Sequence, residues 1–248
     1  MLWYKAWLET RARFLTSLAT LTLFCGLFIH HALYIACSST LPCGQGLAHP
    51  VKQQDLHFLL LVTQNYVVIM WVLAVALLGM GGIVREKALG TSSLTLSLPV
   101  SRTRLLAVRV ALGVVQSIVL AVVPWVTIFF VSRQVGVRVN ITQVGIYILL
   151  LAGGGMVYFA MAILISSLVA GEYTAPALAF GVVLLAAIGF DMWLRRFNVW
   201  RLITGDFSID RATYLLSPQL PWPGLLASLS AAALMLLAAT IVLQKREF

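Results

Sequence analysis

Long apolar runs separated by short polar ones set the pattern of this chain from end to end. About six runs are long enough to cross a bilayer as helices, which takes about 20 mostly apolar residues. They are Leu15–Ala36, Leu56–Val84, Leu105–Val131, Val144–Val169, Ala175–Leu194 and Leu225–Leu243. The stretches between them are too short for a separate soluble domain, so residues 1–248 read as one all-α polytopic membrane domain. Asp, Glu, Lys and Arg are missing from the middle of every run. Gln64, Asn65 and Gln116 are the polar exceptions, and interhelical hydrogen bonding is the expected role of each. Gly153, Gly154 and Gly155, and the small-residue pairs Gly113/Ser117 and Ser167/Gly171, suit close helix approach.

Two flanking segments have a pattern of their own. In "MLWYKAWLETRARF", residues 1–14, Trp3, Ala6, Trp7, Thr10 and Phe14 share one helical face, and Lys5, Glu9 and Arg13 follow at i, i+4, i+8 on another. This reads as an interfacial helix on the cytoplasmic leaflet. The alternative is a plain extension of the first span. A signal peptide ending in "YIAC" fits poorly, because the n-region is long and Trp-rich and Tyr34 and Ile35 do not suit a lipoprotein cleavage box; an uncleaved first span is expected. Residues 195–224 form the longest external loop. Trp193, Phe197 and Trp200 there predict a short helix at the outer interface, stopped by "SPQLPWPG". It could serve as an anchor or as a gate.

Composition narrows the classes. The chain is 61% hydrophobic and only 10% charged, with a net charge of +9. Lys5, Arg11, Arg13, Arg85, Lys87, Arg102, Arg104, Arg109, Lys245 and Arg246 fall on one side of the predicted topology. That places both termini and the loop at 85–104 in the cytoplasm. The positive charge therefore reads as anchoring at the membrane surface, with no basic soluble domain to grip nucleic acid. Cys37 and Cys43 share the external loop "CSSTLPC", where a disulfide and two free thiols are both open readings. Cys25, in mid-span, reads as a packed apolar residue.

Catalytic and cofactor signatures are missing. There is no HExxH, paired-cysteine metal box, GxSxG or Walker-type phosphate loop. The neighbours His30 and His31 point about 100° apart on a helix and cannot easily clamp one ion. No metal site, and no catalytic site of the chain's own, is expected.

The polar excursion between spans two and three is more specific. "REKALGTSSLTLSLPVSRTRL", residues 85–105, holds charges, a Gly-Thr step, a string of hydroxyls and a Pro-Val-Ser-Arg turn. Hydroxyls can satisfy backbone groups at a bent helix end, and Pro99 suits the start of a new element. "REKALGT" followed by "LSLPVSRTRLLAVR" resembles the first cytoplasmic loop of ABC-2-type ABC transporter permeases. The matching positions are Glu86, Gly90, Thr91, Leu98, Pro99, Val100, Ser101 and Arg102.

The resemblance implies a coupling helix in this loop that docks on a separate P-loop ATPase. With Arg85, Lys87 and Ser92, the matched residues make up the implied contact. Glu172 in "AGEYTAP" is a secondary contact, or else part of a plain cap and turn with Thr174 before Pro176. The chain would bind no cofactor itself; ATP and Mg would sit on the ATPase. Two permeases and two ATPases are implied, in a bacterial cytoplasmic membrane, with the permease interface at spans one, two and five. Pro176 and Gly181 then lie near a transport path. The charge-free spans fit export of a lipid, drug or peptide better than of a small ion. A haem-export permease is the alternative within the family, and a non-transporting scaffold or sensor subunit the alternative outside it.

The topology makes a direct prediction. A membrane-impermeant thiol reagent applied to intact cells after mild reduction should label Cys37 and Cys43 and spare Cys25. Labelling only after permeabilisation would invert the arrangement.

Overall fold

The structure, a computed structural model, describes residues 2–38, 53–79, 102–134, 139–169, 178, 181–182, 198–206, 209, 216 and 219–245. These residues are almost entirely helical. In chain order the helices are α1 (Leu2–Ser38), α2 (Gln53–Gly79), α3 (Arg102–Gln134), α4 (Ile141–Leu149), α5 (Gly155–Leu168), α6 (Val199–Thr204) and α7 (Trp222–Lys245). A π-helical segment, Leu150–Gly154, joins α4 to α5 without a break. Five rods among the described residues are long and apolar enough to cross a membrane: Leu2–His31, Leu61–Gly79, Arg104–Gln134, Ile141–Leu168 and Trp222–Val242. Of the expected fifth span, Ala175–Leu194, only Leu178, Gly181 and Val182 are described, all helical.

The boundary expected between an interfacial helix over 1–14 and a span from Leu15 is not there; α1 runs unbroken through Phe14 and Leu15. The physical reason is lateral support. Ala6, Thr10, Ser17, Leu21, Cys25 and Ile29 form one buried stripe along α1, which packs on α3 and, over a smaller area, on α2. At 1.5 Å per residue, its 37 residues span about 55 Å, more than the ~30 Å hydrocarbon core.

Water drives apolar side chains together in a soluble protein, but lipid tails are as apolar as leucine, so helices in a bilayer associate through close packing and polar links. The centre of this bundle shows both. Trp71 of α2 is fully buried, its six-membered ring occupies the space a Cβ would take at Gly155 in α5, and its indole Nε1 donates to the Ser117 carbonyl of α3 at 3.1 Å. Beside it Gly113 of α3 accommodates the Phe159 ring of α5. The small-residue pair Gly113/Ser117 is thus a packing seam, as the sequence pattern suggested. Leu23, Leu27, Phe130, Leu234 and Leu237 are exposed on the outside, which is where lipid is the natural solvent.

Pro124 sits inside α3 and offers no N–H to the carbonyl of Leu120, yet the helix continues to Gln134. One turn on, Thr127 Oγ1 donates to the Val123 carbonyl at 2.9 Å. That bond does not reach the Leu120 carbonyl; membrane helices tolerate proline because neighbouring helices and local adjustments can meet the freed group.

Gly155→Val should lower stability by about 1–3 kcal/mol, because any Cβ there overlaps the Trp71 ring. Gly145→Val is the control, since a Cβ at Gly145 meets nothing within 4 Å. Unfolding midpoints in detergent should separate the two; equal midpoints would show that the seam yields freely.

Candidate functional site

The helix directions fix which segments emerge together. Near the start of α1, Glu9 pairs with Arg109 near the start of α3, so these two helices run the same way. Arg13 Nη1 donates to the Leu77 carbonyl in the last turn of α2 at 3.4 Å, and Gly79 packs against Ala162 towards the end of α5. Gly79, Arg102 and Val169, the described neighbours of segments 80–101 and 170–177, therefore lie at the same end of the bundle as the α1 N-terminus.

At that end the side chains form a charged cluster over a polar core. Glu9 sits between Lys5, whose Nζ is 3.7 Å from Glu9 Oε1, and Arg109, which it contacts directly. A shallow crevice lined by Leu2, Lys5, Ala6, Glu9, Leu105, Val108 and Arg109 marks the seam of α1 and α3. Immediately behind, buried Gln116 donates from Nε2 to Thr10 Oγ1 at 2.9 Å. Thr10 in turn donates to the Ala6 carbonyl at 3.0 Å. The interhelical role expected of Gln116 is thereby met, while Asn65 donates within its own helix, to the Leu61 carbonyl at 3.2 Å.

The opposite end is closed by the segment that includes α6. Asn198 caps α6, accepting from the Trp200 N–H at 2.9 Å, and Gly205 ends it in the left-handed region with φ 84°. A short helix is therefore present, with Leu202 and Ile203 buried against the π segment and α7 and Trp200 packed edge-on to Tyr158. Two glutamines hold this segment by its main chain. Gln64 Nε2 donates to the Ile203 carbonyl at 2.8 Å. Gln143 makes a matched pair with Leu216, accepting from its N–H at 3.1 Å and donating to its carbonyl at 3.0 Å. Leu216 also bridges Ile209 in antiparallel fashion and packs on Gly205. Below them the Trp125 and Tyr147 rings stack at 4.4 Å and 5°.

Most of the sequence-predicted site lies outside the described residues: Arg85, Glu86, Lys87, Gly90, Thr91, Ser92, Leu98, Pro99, Val100, Ser101, Glu172, Pro176 and Cys43. Arg102 begins α3. Cys37 falls within α1, though its side chain is not described, and Cys25 is buried. Gly181 is helical, with no atom within 4 Å of where a Cβ would stand. His30 and His31 are exposed, and no metal-holding group of His, Cys, Asp and Glu forms among the described residues. The sequence reading counted Arg109 only as a positive-side charge and passed over Gln143, whose partner lies 73 residues away.

Gln143→Leu should unpair the Leu216 main chain, at a cost of about 1–3 kcal/mol for each buried group left unmet. Hydrogen exchange in 198–216 should quicken while α1–α3 keeps its protection; unchanged exchange would show that apolar packing alone holds the segment.

Comparison with known proteins places the chain. A family model described as ABC-2 family transporter protein matches residues 47–246. A search of curated proteins finds no match.

Proposed function

The chain belongs to the ABC-2 transporter family, and from that premise we propose that it is the permease subunit of an ATP-driven exporter coupled to a separate ATPase. The observation that carries the reading is the family match over four fifths of a bundle whose spans have no charge in their middles. Segment 85–101, with Glu86, Gly90, Thr91 and Pro99, is proposed as the ATPase contact, with Glu172 as a second one. Support comes from the bundle itself, in which the described neighbours of both segments share one end. That end is proposed as the cytoplasmic one, with both termini inside a bacterial inner membrane; its cluster of Lys and Arg supports the reading.

In this reading two ATPases bind ATP and Mg and close together, and the segment carries that displacement into α3. The helices then rock between states open to either side, as packed elements with discrete arrangements do. A polar stripe that could carry an ion is missing from the spans, so the cargo is an apolar or amphipathic molecule such as a lipid, drug or peptide. Its path is proposed at the seam between two permease copies, near Pro176 and Gly181.

Co-purification of the chain with an ATPase subunit tests the assembly. Glu86→Arg in the reconstituted complex tests the contact: the charge is reversed at a protein–protein surface, so coupled ATP hydrolysis should fall about fivefold or more. Insertion and dimerisation should be retained. Unchanged coupling would remove segment 85–101 from the ATPase interface.

A further inference from the structure

Resting on that reading, we propose that Glu9 and Arg109, backed by Thr10 and Gln116, are positioning residues that lock the α1 N-terminal end to α3, so that the two helices move as one body when the ATPases act. Arg102, the last residue of the matched motif, is the first of α3. A displacement of segment 85–101 therefore reaches α3 directly, as it reaches α2 through residues 80–84. Whether it goes further depends on what binds α3 to its neighbours.

Apolar packing alone is a poor transmitter here. The buried α1 stripe mixes the small Ala6, Ser17 and Cys25 with Leu21 and Ile29, none of which forms a directional side-chain contact among the described residues, and lipid gives no hydrophobic penalty for sliding. Directional polar contacts set register, and this seam has two. On α3, Arg109 and Gln116 lie seven residues apart on one face, about 10 Å along the axis. On α1 their partners Glu9 and Thr10 are adjacent. Two attachment points at different heights resist rotation as well as sliding, which a single contact does not. Lys5 steadies Glu9 from the turn before, and Thr10 and Gln116 are buried, so parting them would leave polar groups unmet. From this pair of helices the linkage continues into α2 through Arg13 to the Leu77 carbonyl and Trp71 to the Ser117 carbonyl.

The test uses the full chain with its ATPase subunit in vesicles and reads the permease-dependent stimulation of ATP hydrolysis, together with the distance between spin labels at Thr16 of α1 and Val119 of α3. All variants carry Lys5→Gln, which removes the like charge one turn before a reversed position 9; Arg13, one turn after it, is common to every variant and to the background. Glu9→Arg, which sets two positive groups against each other, should cut stimulation about fivefold or more. It should also widen the label distance on ATP addition. The exchange Glu9→Arg with Arg109→Glu should restore both. Full stimulation in Glu9→Arg, or no recovery in the exchange, overturns the proposal. If Glu9→Arg does not insert, Glu9→Gln carries the test, with a loss of about twofold expected for a lost pair near the surface; stimulation and label distance as in the Lys5→Gln background overturn the proposal. No stimulation by the unmodified chain would fell the transporter reading and this proposal together, whereas normal stimulation with indifferent variants fells this proposal alone.

Discussion

Everything in the bundle is arranged around the indole of Trp71. It is, with Trp125, one of two tryptophans with no exposure among the described residues, and it meets a glycine of one helix with its ring and a main-chain carbonyl of another with its nitrogen. In a membrane this combination matters more than in water. The ring brings dispersion contacts that lipid cannot match at a bare glycine surface, and the N–H is paired where no water is at hand to pair it. Three helices are fixed relative to one another by this one residue, and α1 and α7 are laid on the outside of that trio.

Both ends of the bundle are then held by polar groups, in different ways. At the α1 N-terminal end, charges meet charges over a buried threonine–glutamine bond, and the contact joins two helices side to side. At the other end neutral glutamines grip the main chain of a connecting segment. The charged end is wet enough for ions to be tolerated, and the amide end suits a dry environment, where a neutral group costs far less to bury than an ion.

How much of this the sequence disclosed follows from the range of each signal. Span positions were legible because hydropathy is a local sum over ~20 residues, and α2, α3, α4–α5 and α7 lie where the apolar runs lie. The seam at Gly113 and Ser117 was legible because small residues four apart leave a visible gap in a run of large ones. The continuity of α1 through Phe14 was not, because amphipathic patterning cannot tell a partner helix from a leaflet, and Ala6 and Thr10 are turned to α3. The roles of Gln64 and Gln143 were harder still. A side-chain amide that binds main chain asks nothing of the residue it binds, so Ile203 and Leu216 carry no trace of it. The proposed ATPase contact at 85–101 rests on the order of its residues and lies outside the described residues.

The π segment at Leu150–Gly154 has a consequence for angular phase. An α-helix turns about 100° per residue, and a π segment holds one more residue per loop of hydrogen bonds. The faces of α4 and α5 are therefore offset by roughly one residue from a continuous α-helix. That offset lets Gln143 and Tyr147 address Leu216 and Trp125 at one end, while Gly155 and Phe159 address Trp71 and Gly113 further along the same rod. A rod wound as α-helix throughout could satisfy one of these sets only by turning the other away. The Ser228 hydroxyl, donating to the Gly154 carbonyl at 2.6 Å, sits at the joint. Rewinding the segment as α-helix would turn one set against the other by roughly the 100° that one residue subtends.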